Sequence, residues 1–289
     1  MLIIFNPAAG RRRAQLLWRV LDIMATSGVR LEIAETRHAG HALVLAHEAA
    51  SRGVRLIVAA GGDGTIAEVA NGLGEAPSRL GIIPLGTANV LAHELGLPFA
   101  PRAVAAALAF GRTQPVWPGI ANGDGRTPRL FVQMLGAGFD AQVVHHLPTT
   151  MKRVMGRSAY VAQSMRELIR YRFRPIKLRV DGAEMETGSV IVSKGRFYAG
   201  TYKLAPGATP TARDFTVALF GGFGPFAAMA YGAALPFNMV PHMRGVRLIR
   251  ASEIEISSAR VPAQADGDPA GLGPITVTNA RTPIQVVVG

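Results

Sequence analysis

Over the first 118 residues the hydrophobic period switches repeatedly between short apolar runs and helical stripes, and this restricts the fold more than any other feature. Leu2–Phe5, Leu56–Ala60 and Gly81–Leu85 read as strands buried on both faces. Between them Leu16, Leu17, Val20, Leu21 and Met24 fall at helical spacing, with Gly28 as a stop. Val29, Leu31 and Ile33 alternate with polar residues as a half-buried strand would. Ala42–Arg52 is a second helix ended by Gly53, Ile66, Val69, Ala70 and Leu73 form the stripe of a third, and a further helix follows Asn89. Strands alternating with helices predict an α/β domain over residues 1–118, with a parallel, Rossmann-like sheet covered on both faces.

Near residue 115 the texture changes, with Pro115, Pro118, Gly119, Gly123, Gly125 and Pro128 marking a junction. Beyond it come strand-like runs at Leu130–Met134, Lys177–Val180, Ser189–Val192, Phe215–Phe220, Glu253–Ser257, Ile275–Thr278 and Ile284–Val288. One helix, about Arg157 to Tyr171, interrupts them. Residues 119–289 are therefore expected to form a β-rich, β-sandwich-like domain, its last strand able to return toward the first domain. With 289 residues, 49% of them hydrophobic, both domains can hold a core. The absence of cysteine excludes disulfides, cysteine-based zinc sites and thiol nucleophiles.

The opening apolar run is too short for a signal peptide. Residues 215–243 lack Asp, Glu, Lys and Arg but are broken by Gly221, Gly222, Gly224, Pro225, Gly232, Pro236 and Pro241, which argues against a spanning helix. Within it Phe220–Pro241 can be sandwich core or an acyl-chain groove. A cytoplasmic chain that touches a membrane peripherally is the expectation.

Gly61-Gly62-Asp63-Gly64-Thr65 lies between a buried strand and a helical stripe. Glycines allow close approach to a phosphate, and the following helix start supplies unpaired N–H groups. Asp63 would repel phosphate unless a cation or donor intervenes, which points to a Mg²⁺-linked or hydroxyl-orienting role. Pro84-Leu85-Gly86-Thr87-Ala88-Asn89 repeats the strand–loop–helix arrangement, and Asn6-Pro7-Ala8-Ala9-Gly10 follows the first strand. All three loops should meet at the carboxyl edge of one sheet, where ligands of α/β folds bind. Arg11, Arg12 and Arg13 could neutralise a triphosphate or form a solvated first helical turn. The P-loop and dinucleotide fingerprints are both absent. His38, His41, His145 and His146 show no zinc spacing.

These segments resemble the diacylglycerol kinase catalytic-domain superfamily, and in particular its soluble bacterial lipid kinases, which are similar to sphingosine and ceramide kinases. The likeness runs through Glu68 and Asn71, Phe131–Ala141 and Leu204-Ala205-Pro206-Gly207-Ala208 to Asp266-Gly267-Asp268, and so covers essentially the whole chain. It implies a nucleotide-binding domain joined to a lipid-binding β-sandwich, with the active site between them, ATP as donor and Mg²⁺ as cation. Gly62, Asp63, Gly64, Thr65, Glu68, Thr87 and Thr36 would belong to the nucleotide site, with Asn6, Gly61, Gly86 and Asn89 from the same loops. The family's general base, a Glu, falls on Asp268. Phosphoryl transfer to a hydroxyl needs such a carboxylate to accept the proton, although Asp266–Pro269 is also a plain turn sequence.

Three departures stand out. Asp268 is one methylene shorter than Glu. Val90 stands where many members carry Asp. Several bacterial members hold a structural Mg²⁺ with an Asp aligned to Ala212, and here Asp214 is the nearest carboxylate. A catalytically weak nucleotide- or lipid-binding protein and an NAD kinase-like enzyme are the alternatives.

The net charge is +12, and it is uneven. Residues 1–118 hold 11 Lys/Arg against 8 Asp/Glu, and residues 119–289 hold 20 against 11. A dense run lies at Arg166, Arg170, Arg172, Arg174, Lys177 and Arg179. An anionic membrane surface explains a basic lipid-binding part better than nucleic acid, because no basic motif is interleaved with aromatics.

Overall fold

The computed structural model describes residues 1–9, 14–123, 127–147 and 157–289. Arg11, Arg12 and Arg13 lie outside the described residues. The chain divides into two compact units, Met1–Trp117 with Arg281–Gly289, and Pro118–Ala280.

The first unit contains β1 (Leu2–Phe5), α1 (Ala14–Thr26), β2 (Glu32–Glu35), α2 (His41–Ser51), β3 (Leu56–Gly61), α3 (Asp63–Leu73), β4 (Arg79–Pro84), α4 (Val90–Glu94), α5 (Pro101–Phe110) and β5 (Arg112–Val116). The last strand of the chain, β20 (Ile284–Val288), completes its sheet in the order β2-β1-β3-β4-β20-β5. All neighbours are parallel except β20 and β5. The chain steps from β1 to β2 on one side and then crosses to β3 on the other. Right-handed crossovers therefore put α1 on one face and α2 and α3 on the opposite face. Accordingly α1 packs beside α5, and α2 beside α3. The change of direction leaves a switch point between the carboxyl ends of β1 and β3.

The fully apolar strands are the central ones, with every residue of β1 and β3 buried. From α1, Leu17, Val20, Leu21 and Met24 enter the same core, each contributing roughly 1.5–3 kcal/mol by burial. The expected alternation at Val29, Leu31 and Ile33 holds only in part. Val29 and Leu31 cover the core from the loop before β2, whereas Ile33 is 47% exposed. The strand starts only at Glu32 and lies at the sheet edge, so the alternation does not carry into it.

The second unit holds β6 (Gly119–Gly123), β7 (Arg129–Phe131), β8 (Met134–Ala137), α6 (Phe139–His146), α7 (Arg157–Arg170), β9 (Ile176–Val180), β10 (Ala183–Thr187) and β11 (Ser189–Ser193). A short hairpin, β12 (Phe197–Tyr198) and β13 (Tyr202–Lys203), precedes β14 (Phe215–Phe220), α8 (Pro225–Ala234) and β15 (Val246–Ala251). Then come β16 (Ile254–Ile256), β17 (Pro262–Ala265), β18 (Asp268–Leu272) and β19 (Ile275–Asn279). Two six-stranded antiparallel sheets form, β10-β9-β16-β19-β6-β7 and β15-β14-β11-β8-β17-β18. Phe131, Ile176 and Ile254 from the first meet Leu135, Val192 and Phe215 from the second in one core, the expected β-sandwich.

Two helices here were not expected from sequence, α6 and α8. The run Leu130–Met134 also breaks into β7 and β8, which belong to different sheets. The basic run divides as well, because Lys177 and Arg179 point outward from β9 in strict alternation with buried Ile176, Leu178 and Val180.

Candidate active site

In the first unit the loops after β1, β2, β3 and β4 begin at one level of the sheet. The ladder continues into them, with the Asn6 amide donating to the Ala60 carbonyl at 3.0 Å and the Thr36 amide to Phe5 at 2.8 Å. The Leu85 amide donates to the Gly61 carbonyl at 2.9 Å. Asn6 closes the switch point from above. Its Nδ2 donates to Thr65 Oγ1 at 3.0 Å, while its Oδ1 accepts the Ala8 amide at 3.0 Å. Thr65 is buried, and a Cβ on Gly61 would collide with its side chain.

Gly62 and Gly86 bring the two glycine loops together. A Cβ placed on Gly86 would lie 2.6 Å from Gly62 Cα and 2.8 Å from Asn89 Oδ1, so glycine is required there by space. Asp63 ties the same two loops, since its Oδ1 accepts the Val90 amide at 2.7 Å and caps α4. The backbone of Val90 thus makes a carboxylate contact although its side chain cannot. Asn89 takes a left-handed conformation at φ 47° and donates from Nδ2 to the Gly86 carbonyl at 2.9 Å. Its Oδ1 is buried without a hydrogen-bond partner among the described residues. Gly64 sits half-buried in the first turn of α3, and Thr87 is exposed on the second loop.

Glu68 is placed differently from the other residues of this set. Its carboxylate accepts the Gly40 amide at 2.8 Å and the Ala42 amide at 3.0 Å, so it caps α2. It holds the Thr36–Gly40 loop against α3 and acts by positioning. His38 and His41 stack at 4.9 Å in that loop, and His41 Nδ1 accepts the Arg37 amide at 3.0 Å.

In the second unit, β17 and β18 are joined by a two-residue turn, Asp266-Gly267, with φ 51° and 82°. Positive φ at both positions is the hairpin geometry that Asp-Gly favours. The Asp266 carboxylate points inward and accepts three amides, Val132 at 2.7 Å, Gln133 at 2.9 Å and Met134 at 3.0 Å. This is why the chain bends between β7 and β8. Burial pushes the Asp266 carboxyl up to about 6, with the three amide bonds and Arg129 pulling it back. Asp268 begins β18 half-exposed, and its Oδ2 meets Arg129 Nη2 at 3.3 Å. The other guanidinium nitrogen reaches the Pro269 carbonyl at 3.0 Å, so Arg129 fixes the carboxylate against its own backbone.

A polar chain supports the turn from behind. The Gly267 amide donates to Gln264 Oε1 at 2.8 Å, and Gln264 Nε2 donates to Asp140 Oδ2 at 2.9 Å. The Tyr198 hydroxyl donates to the other Asp140 oxygen. Burial raises the Asp140 pKa, opposed by the bonds from Tyr198 and Gln264. Gly136 leaves room for this chain, because a Cβ there would stand 2.6 Å from Asp140 Oδ2.

Asp214 does not fit a metal site. The Lys194 ammonium, fully buried, fills the oxygen cradle beside it, donating to the carbonyls of Ala212 at 2.8 Å and Asp214 at 3.1 Å and to Asn279 Oδ1 at 3.0 Å. The Asp214 carboxylate turns instead to Arg250, at 3.4 Å. Burial lowers the Lys194 pKa to about 8, Asp214 holding it up and Arg213 lowering it further. An internal cation thus fills the oxygen cradle next to Asp214. No cluster of three or more His, Cys, Asp or Glu side chains that could hold a metal exists among the described residues. His145 Nε2 meets the Ala263 carbonyl at 2.8 Å and His146 lies 3.5 Å from Glu167, both packing roles.

Sequence reasoning missed Arg129, Lys194 and the Asp140–Gln264–Tyr198 chain as elements of the site. Their partners lie far along the chain, Asp268 being 139 residues from Arg129, so no local pattern marks them. The inward role of Asp266 was hidden for the same reason.

The chain thus combines a doubly wound α/β unit carrying two apposed glycine loops with a β-sandwich. The chain matches the diacylglycerol kinase catalytic domain over residues 1–119 and the YegS C-terminal NAD kinase beta sandwich-like domain over residues 133–288. It is 35% identical over 210 residues to a diacylglycerol kinase of Bacillus subtilis, covering 71% of this chain and 68% of that protein. A diacylglycerol kinase of Staphylococcus haemolyticus is 28% identical over 292 residues, covering 98% of this chain and 86% of the other. A crystal structure of a diacylglycerol kinase from Bacillus anthracis str. Sterne superposes with a TM-score of 0.73 at 21% identity, covering 100% of this chain and 96% of that one, and shares its fold. The chain belongs to the bacterial diacylglycerol kinase and YegS-like lipid kinase family, whose members are phosphotransferases. No described helix is long and apolar enough to cross a membrane.

Proposed function

We propose that this chain transfers the γ-phosphoryl group of ATP to a hydroxyl of a diacylglycerol-like or sphingoid lipid at a membrane surface. The observation that carries the reading is the apposition of Gly62 and Gly86, stitched by Asp63 to the Val90 amide. It builds a polar cradle at the switch point, with the α3 amides available to a polyanionic nucleotide. Asn6, Thr65, Gly61, Gly62, Gly64, Gly86, Thr87 and Asn89 form this cradle, Thr36 lines its rim, and Glu68 positions that rim.

Mg²⁺ bound with the nucleotide would neutralise charge on the phosphates. Because Mg²⁺ keeps several waters and needs only one or two carboxylates beside phosphate, the presence of Asp63 alone in the glycine loops fits it. The chain itself orients the phosphates and excludes competing positions of the loops. As the lipid oxygen attacks phosphorus, its proton passes to the Asp268 carboxylate, which Arg129 and the Asp266-Gly267 turn hold in place, and ADP leaves.

This role for Asp268 is tested by steady-state kinetics. Asp268→Ala is expected to lower kcat by about 10²–10⁴-fold with little change in KM for ATP, and Asp268→Glu to restore most of it. Full activity in Asp268→Ala would remove the base assignment and leave the transfer reading intact. The family description of the second domain supports a second reading, an NAD kinase-like acceptor. The first domain's match to a diacylglycerol kinase domain argues for lipid.

A further inference from the structure

Among its described side chains, α7 turns Gln163, Glu167 and Leu168 toward the protein, exposed by only 5%, 2% and 8%. Gln163 Nε2 donates to Glu167 Oε1 at 2.8 Å, and Gln142 of α6 donates to the other oxygen at 3.3 Å. Its outward side carries Val161, Met165 and Ile169 one turn apart, exposed by 65%, 56% and 89%. At their flank Ala162, Arg166 and Arg170 form a second outward row at the same spacing. α8 touches α7 and buries none of its ten residues. Phe226 is 84% exposed there, and Phe237, in the turn that follows, 75%.

An apolar row held in water beside a helix that buries none of its residues is a site for an apolar occupant. We propose that the outward rows of α7 and α8 form a surface that inserts into the interfacial layer of an anionic phospholipid bilayer. The inference rests on the lipid kinase reading, which places the chain's work at such a surface. Charge favours a bilayer over a protein partner. Arg166 and Arg170 run alongside the apolar row, and Lys203, whose amide donates to Asn238 Oδ1 at 2.6 Å, sits beside the turn that carries Phe237. The sole acid of α7, Glu167, is turned inward, and residues 215–243 contain none. Apolar side chains entering the acyl region, with long guanidinium arms reaching back to lipid phosphates, fit this pattern.

Co-sedimentation with vesicles tests the surface without any turnover. The full chain is expected to bind vesicles of equal parts phosphatidylcholine and phosphatidylserine, and to bind pure phosphatidylcholine at least ~10-fold more weakly. Met165→Glu with Ile169→Glu is expected to lower binding to the mixed vesicles by at least ~10-fold, with an unchanged melting temperature because both residues are exposed. Ile169→Trp, which keeps the apolar row, is expected to shift its emission to the blue on adding mixed vesicles. Failure of the wild type to sediment, equal sedimentation of the double variant, or no shift at Trp would overturn the proposal. So would a dimer in sedimentation velocity that the double variant converts to monomer, because a second copy would then cover the face. Vesicle binding that depends on Ile169, in a chain that phosphorylates no lipid, supports this surface and sinks the kinase reading instead.

Discussion

Gly86→Ala is expected to reduce ATP affinity by at least ~100-fold and to destabilise the chain by about 3 kcal/mol. The added Cβ would stand 2.6 Å from Gly62 Cα and 2.8 Å from Asn89 Oδ1. The first of these is backbone, which cannot rotate away, so the two loops must separate. Separation stretches the 2.7 Å bond from Val90 to Asp63, and the cradle loses the element that holds its halves in register. Gly62→Ala provides a graded control, since its Cβ would lie 3.2 Å from Gly86 Cα and a few tenths of an ångström of movement would relieve it. Calorimetric titration with ATP and denaturant unfolding should therefore rank wild type above Gly62→Ala above Gly86→Ala. Equal ATP affinity in all three would mean that the nucleotide binds elsewhere.

Asp266→Ala is expected to destabilise the chain by about 4 kcal/mol, because it removes the carboxylate that accepts the buried amides of Val132, Gln133 and Met134. Asp266→Asn gives a cleaner signature in pH. The folded pKa of about 6 lies above the ordinary 3.8. The contribution of the wild-type carboxyl is therefore complete below pH ~4 and is lost as the pH rises through ~6, a fall of about 3 kcal/mol. Asp266→Asn cannot titrate, so the difference in unfolding free energy between wild type and variant should change across that window and be flat above ~7. A constant difference from pH 4 to 7 would show that the carboxyl titrates alike in the folded and unfolded chains.

The parts of this fold that are legible from sequence are those set by local period. Leu2–Phe5 and Leu56–Ala60 are uninterrupted because those strands are covered on both faces, and the loops after them carry the glycines. Where a local rule has two meanings, reading along the chain goes astray. Pro225 reads as a breaker, yet it occupies the first turn of α8, where proline is well tolerated because no N–H is needed. Ile33 reads as inward, but an edge strand starting at Glu32 turns it out. Asp266-Gly267 is rightly read as a turn, while the inward direction of its carboxylate depends on amides 132 to 134 residues away. The same holds for Asp63, whose bond to Val90 spans 27 residues, and for Lys194, whose three oxygens come from two distant segments. Loop chemistry is visible in sequence, whereas the pairing of carboxylates and cations with remote backbone is visible only once the chain has folded.

Transfer of the γ-phosphoryl group of ATP from the glycine cradle to a lipid hydroxyl is expected of this chain. It is tested most directly by incubating the chain with γ-labelled ATP, Mg²⁺ and mixed phosphatidylcholine–phosphatidylserine vesicles containing diacylglycerol or a sphingoid base, with NAD as a competing acceptor. Label is expected in an organic-phase lipid phosphate, with loss of that product in Gly86→Ala. Label appearing in NADP, or no lipid product from a chain that binds ATP, would contradict it.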